Sequence, residues 1–202
     1  MVAEQLEARG IRDPRVLEAM RTVPREAFTD AEDRGRAYED LPIQIGWAQT
    51  ISQPYMVGLI CQEAAVRPGQ RVLDVGTGSG YQAAVLAELG AEVHSIERIE
   101  QLAERARAKL EAAGYGRVTV HLGDGSVGLP EHGPYDAITV AAAAPEPPPT
   151  LYDQLVLGGR LVVPIGDRRA QRLEVVVRTP EGPAVVHSVP CRFVPLVGEE
   201  GY

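Results

Sequence analysis

The chain has 202 residues, 45% of them hydrophobic, and a formal net charge of −8 at neutral pH. That length suits a single globular core without disulfide staples, and the longest apolar runs, such as residues 137–144, fall far short of a membrane span. The acidic balance opposes binding to a phosphate backbone unless basic side chains cluster, and no charged-then-apolar signal segment opens the chain. A cytoplasmic monomer with neither nucleic acid nor membrane as partner is therefore expected.

Residues 1–30 read as short amphipathic helices, with Val2, Leu6, Val16, Leu17 and Met20 at helical spacing. Asp13 followed by Pro14 marks a helix start, the acid as N-cap and the proline at the first helical position. Residues 38–55 are irregular in pattern and hold Trp47, Gln49, Thr50, Ser52 and Gln53. A loop of that length in a compact chain is usually functional or disordered, and its apolar and aromatic content argues against disorder. A helix over 54–66, opened by Pro54, would turn the N–H groups near Ser52 and Gln53 toward a ligand; a Ser52 that merely caps this helix is the alternative.

Residues 72–75 read as a short buried strand, the glycines after them as a turn, and 82–89 as a helix. Gly76, Gly78 and Gly80 stand two apart with Thr77 and Ser79 between them, so the backbone can turn sharply and a ligand can approach main-chain N–H groups. Glu97 follows Gly76 by 21 residues, at the end of a strand over 91–96, where an acid accepts hydrogen bonds from both ribose hydroxyls. The dinucleotide fingerprint needs glycine at position 81, which is Tyr81 here, so a pyrophosphate fits poorly. Asp74 would repel a pyrophosphate but orient a cationic ligand. These features point to S-adenosylmethionine, which carries an ammonium, a sulfonium and no phosphate.

The pattern then alternates: a helix over 99–113, strands over 118–122 and 135–140, a helix over 150–157, a strand over 160–164, and a hairpin of 173–178 with 184–189. Such alternation predicts an α/β fold, a doubly wound and mostly parallel sheet with an antiparallel C-terminal hairpin and an N-terminal helical cap. One domain over 1–202 is expected, with 1–55 as cap and active-site loop and 56–202 as cofactor-binding core. Asp124-Gly125, just beyond the strand over 118–122, reads equally as an acceptor for an adenine amino group or as a simple turn. Residues 145–149, rich in proline, form either a lip over the pocket or the entry to the next helix.

Cys61 and Cys191 lack metal-ligand spacing, and His94, His121, His132 and His187 are scattered along the sequence, so no metal is expected. Arg34 with Arg36, and Arg168 with Arg169 and Arg172, are the best basic clusters; without interleaved aromatics they read as solvated surface. Lys109 is the only lysine and asparagine is absent, which fits genome composition or a heat-adapted source.

Several segments together resemble the protein L-isoaspartate O-methyltransferase family: Thr50-Ile51-Ser52-Gln53-Pro54-Tyr55, the glycine turn, Gly123-Asp124-Gly125, Ala142-Ala143-Ala144-Pro145, Gly158-Gly159-Arg160-Leu161 and Arg192-Phe193-Val194-Pro195-Leu196. The glycine turn is common among methyltransferases, whereas the first and last segments are far more specific. The resemblance implies a Rossmann-like S-adenosylmethionine-dependent methyltransferase with its last strands in swapped order. The substrate it implies is the free α-carboxylate of isoaspartyl residues in damaged proteins and peptides, with S-adenosylhomocysteine as product. By the same resemblance Ser52 is the active-site residue. Asp124, Gly125, Glu97 and the turn from Gly76 to Gly80 hold the cofactor. Thr50, Ile51, Gln53, Pro54, Tyr55, Val194 and Leu196 contact the peptide. Many relatives carry alanine and histidine where this chain has Gln53 and Tyr55. A carboxylate is already ionised at neutral pH, so no general base is needed and Ser52 is expected to orient rather than to attack. Methylation of another acceptor, or cofactor binding without turnover, are the rival readings.

Overall fold

The computed structural model describes residues 1–167 and 169–202; Arg168, one member of the basic cluster read from the sequence, lies outside them. Single helical turns at Val2–Leu6 and Glu7–Arg9 lead into α1 (Pro14–Thr22), where Asp13 caps the helix by accepting from the Arg15 N–H at 2.8 Å and Pro14 takes the first position, as expected. Leu6, Val16, Leu17 and Met20 face inward and share one core with the sheet and its helices, so residues 1–55 are packed onto the rest of the chain.

Residues 38–55 contain order that the sequence pattern did not reveal: a hairpin of β1 (Ile43–Gly46) and β2 (Gln49–Ile51). Trp47 and Ala48 form its tip with φ of 49° and 57°, the left-handed pair that a two-residue hairpin turn requires. Asn-Gly or Asp-Gly usually signals that turn; Trp-Ala does not, so the local pattern carries no hairpin signal.

The main body comprises α2 (Pro54–Ala64), β3 (Arg71–Val75), α3 (Tyr81–Glu88), β4 (Glu92–Glu97), α4 (Glu100–Ala112), β5 (Thr119–Leu122), β6 (Tyr135–Val140), α5 (Pro149–Asp153), β7 (Leu155–Gly166), β8 (Gln171–Thr179) and β9 (Gly182–Cys191). Seven strands pair in the order β5-β4-β3-β6-β7-β8-β9. The first five are parallel, and β8 and β9 are antiparallel additions in chain order, with β9 at the outer edge. Val72, Leu73 and Val75 are buried on both faces of the central strand, the continuous apolar run that a covered parallel strand demands.

Strand β7 is longer than expected. The sequence pattern predicts a helix through residues 155–157, yet α5 stops at Asp153 and Leu155 pairs with Tyr135 of β6. Gly158 at φ 81° then carries the strand through an irregular register, so tertiary pairing overrides the local helical period.

The histidines are not scattered in space. His94 on β4, His121 on β5 and His132 in the turn before β6 meet on one side of the sheet, with ligand-capable atoms all within 4.8 Å of one another. Parallel strands bring together residues far apart in sequence, and the pairing Ile96↔His121 sets His121 one step along from His94 on the same face.

Candidate functional site

The strand order reverses between β4 and β6 on either side of β3, and ligands in such sheets lie beyond the carboxyl ends of the strands at that crevice. There Gly76, Gly78 and Gly80 adopt φ of 90°, 52° and 90°, the left-handed region that favours glycine. A Cβ at Gly78 would stand 3.3 Å from the end of the Ile45 side chain, so the hairpin lies close over this turn. The Gly78 N–H donates to Glu97 at 2.9 Å, and the other oxygen of that carboxylate accepts from the Ile99 N–H at 3.0 Å. Glu97 is thereby fixed at the mouth of the crevice by the turn and the start of α4.

Two adjoining pockets occupy this edge. One is bounded by Gly76, Gly78, Glu97, Gly125 and the C-terminal residues Val194 and Leu196. The second, about 230 Å³, is bounded by Ser52, Gln53, Met56, Arg192 and Phe193. Thr50, Ala141 and Val194 line both and form the wall between them. The C-terminal segment is held there by main-chain bonds: Ala143 N–H to Val194 O and Leu196 N–H to Ala143 O, each 2.7 Å.

Ser52 does not cap α2. Gln53 is the N-cap and forms no side-chain cap bond, while Asp40 accepts from the Tyr55 N–H at 3.1 Å instead. The Ser52 hydroxyl is thus left to the pocket. Its carbonyl accepts from Arg25 at 2.7 Å, and Arg25 also donates to Ala37 O at 2.6 Å. Arg25 is fully buried with its guanidinium 4.8 Å from the Tyr81 ring, and burial pulls its pKa below the usual value. Nothing in the local sequence distinguishes Arg25 from a surface arginine, and its role as the floor of the Ser52 loop was missed. Arg192 on the wall of the second pocket was also unassigned, although it opens the specific C-terminal segment.

Several expected contacts are corrected. Asp74 lines neither pocket; it is sealed, accepting from Gln82 at 2.8 Å, Ser95 at 2.9 Å and Thr139 at 3.1 Å. Burial pushes its carboxyl up to about 6 against the pull of these hydrogen bonds. Its partner Ser95 bonds Thr77 at 2.6 Å, so Asp74 braces the glycine turn from behind rather than facing a ligand. Asp124 is likewise committed: it accepts from the Ser126 N–H and hydroxyl at 2.8 and 2.7 Å and from the Glu199 N–H at 2.8 Å. Burial opposes its ionisation, but these donors hold the carboxyl below its ordinary value; Asp124 ties the turn to the C-terminal chain, and it is Gly125 that lines the first pocket.

Thr77 and Ser79 border a small recess beneath the turn together with Ile51 and Ser52. Gly80 packs against Leu110 as the N-cap of α3, and Tyr81 fills the core beside Phe28, where a dinucleotide site would need glycine. Tyr55 stacks under the Arg9 guanidinium at 3.5 Å and Pro54 is buried as the first residue of α2, so neither reaches the acceptor pocket. Leu196, assigned to the peptide groove, lines the pocket beside Glu97 instead.

A family model described as protein-L-isoaspartate(D-aspartate) O-methyltransferase matches residues 1–201. A protein-L-isoaspartate O-methyltransferase 1 from Rhodopseudomonas palustris is 53% identical over 209 residues, covering 100% of this chain and 83% of its own. One from Aeropyrum pernix is 52% identical over 207 residues, covering 100% of this chain and 80% of its own. Among solved structures, a protein-L-isoaspartate O-methyltransferase superposes with a TM-score of 0.88 at 31% identity, over 100% of this chain and 67% of that one. A beta-aspartate methyltransferase from Plasmodium falciparum, in complex with S-adenosyl-L-homocysteine, superposes with a TM-score of 0.84 at 27% identity, over 97% and 96% of the two chains.

Proposed function

The chain belongs to the protein-L-isoaspartate O-methyltransferase family, and from that premise we propose how its own residues divide the work of the family's reaction. It is an S-adenosylmethionine-dependent enzyme that methylates the free α-carboxylate of L-isoaspartyl residues in damaged proteins and peptides. The observation that carries the division of roles is the pair of pockets sharing the wall of Thr50, Ala141 and Val194, with Glu97 on one side and Ser52 on the other.

The residues of the first pocket fit the cofactor: Gly76, Gly78 and Gly125 present main chain without side chains along its lining, beside the Glu97 carboxylate. Glu97 would hold the ribose. When bound there, S-adenosylmethionine supplies a methyl group on a sulfonium, the electrophile of the reaction.

The second pocket takes the isoaspartyl carboxylate. Ser52, its hydroxyl unspent, donates a hydrogen bond to one carboxylate oxygen and leaves the other free to form the bond to methyl. Arg192 provides a cation on the same wall and favours the ionised acceptor. Neither residue exchanges a proton with the nucleophile, because a carboxylate needs no deprotonation at neutral pH. Thr50, Ala141 and Val194 exclude water between the pockets and set the line of approach, so orientation supplies much of the rate.

Substrates are read as flexible segments held largely through main-chain contacts, with Gln53 at the pocket rim. We read the enzyme as a cytoplasmic monomer without a nucleic-acid or membrane partner, on its net charge of −8 and its two unpaired cysteines. Sedimentation and heparin retention test the monomer and the missing nucleic-acid partner.

Methyl transfer from labelled S-adenosylmethionine to matched isoaspartyl and aspartyl peptides tests the acceptor. Selective labelling of the isoaspartyl peptide is expected; equal labelling of both would overturn the assignment of the second pocket.

A further inference from the structure

We propose that His94, His121 and His132 form a site for a first-row divalent metal ion with a preference for nitrogen ligands, zinc above all, which ties together the outer parallel strands of the sheet. Three of the chain's four histidines come from three separate elements, β4, β5 and the turn Pro130–His132, and bring ligand-capable atoms within 4.8 Å of one another. His94 Nδ1 and His121 Nε2 are 3.1 Å apart. Two nitrogens on one tetrahedral zinc at 2.0–2.1 Å stand roughly 3.3 Å apart, so this pair already has the spacing of a ligand edge. The rings of His94 and His132 stack at 4.6 Å with 24° between their planes, and rotation about their side-chain torsions is what closing on one ion requires.

A second observation points the same way. His94 Nε2 lies 3.4 Å from the Glu92 carboxylate, while Nδ1 faces the cluster. A carboxylate that takes the outer N–H of a ligating histidine fixes its tautomer and raises its basicity, the usual outer partner of an imidazole on zinc. Glu92 is itself held by Arg71 at 3.3 Å. His94 is largely covered, its side chain 12% exposed, whereas His121 and His132 are half-buried and leave an approach from solvent.

The site lies outside both pockets of the methyltransferase centre. Three protein ligands leave one position for water. Among the described residues His187 stands apart, paired with Glu63 at 3.1 Å. Binding to the folded chain alone would stabilise it in proportion to the logarithm of metal concentration over Kd.

The test is titration of metal-free full-length enzyme with Zn²⁺ by calorimetry and with Co²⁺ by visible absorption. The expected result is one site per chain, with the intense visible band of tetrahedral Co²⁺. His121→Ala and His132→Ala should each raise the Zn²⁺ Kd on the order of 100-fold and abolish the band, whereas His187→Ala leaves both unchanged. Glu92→Gln should weaken Zn²⁺ about 10-fold or more while keeping the band. Unaltered cofactor affinity in the same variants certifies their fold, and the milder His132→Gln replaces any that fails this check. Absence of the Co²⁺ band in the parent, or a Zn²⁺ affinity that the cluster variants leave unchanged, would overturn the proposal.

Discussion

Replacing Asp74 with asparagine should flatten the acid side of this enzyme's stability profile. The carboxyl is wholly buried and raised from 3.8 to about 6 by that burial, against hydrogen bonds from Gln82, Ser95 and Thr139. Its pKa is higher in the folded chain than in the unfolded one, so folding favours the protonated form. The contribution is fully present below about pH 3.8 and is lost as pH rises through about 6. The size of that loss is about 3 kcal/mol, from 1.36 kcal/mol for each tenfold change in proton affinity. Asparagine keeps the shape and has no proton to lose. It also surrenders acceptance from the Ser95 hydroxyl, a cost of about 1 kcal/mol that does not vary with pH. Relative to the parent, the variant should therefore gain about 3 kcal/mol between pH 3 and pH 7.5, or roughly 6 to 12 °C in Tm for a chain of this size. Urea unfolding of both proteins across that range reads the difference. Parallel profiles, or a variant that loses ground as pH rises, would refute the idea that Asp74 is an ionisation-penalised brace behind the turn.

Ser52→Ala should lower kcat about 10- to 100-fold, the worth of one hydrogen bond to a charged acceptor, with cofactor affinity unchanged; single-turnover rates and calorimetry on one preparation separate the two. Glu97→Gln should weaken cofactor binding by about 1 to 3 kcal/mol, because a charged acceptor for the ribose becomes neutral, and unchanged affinity would show the acid only bridges Gly78 and Ile99. Arg25→Met fills the same volume but leaves Ala37 O and Ser52 O without their donor, a net cost of about 2 to 4 kcal/mol once the relief of a buried charge is subtracted. Denaturant unfolding measures that cost, and the loosened Ser52 loop should also raise KM for the isoaspartyl peptide while leaving cofactor affinity intact.

The cofactor turn could be read without a structure because all its determinants are local. A buried strand, glycines two apart and an acid 21 residues beyond the first of them lie within one strand-turn-helix-strand unit, and the backbone of that unit has few ways to fold. The N-cap at Asp13 was legible for the same reason, and so was the alternation that makes the sheet parallel. The specific segments at Thr50 to Tyr55 and Arg192 to Leu196 identified the family, yet they did not reveal which side chains face the substrate. That depends on contacts across elements. Tyr55 is turned away by Arg9, Ser52 is released from capping because Asp40 arrives from another turn, and Asp124 is occupied by the returning C-terminal chain. Asp74 looked like a ligand residue because local spacing gives a carboxylate's position but not its burial, which the covering of both sheet faces by helices decides. The histidines follow the same rule: His94 and His121 are 27 residues apart in the chain, and only the register between β4 and β5 makes them neighbours.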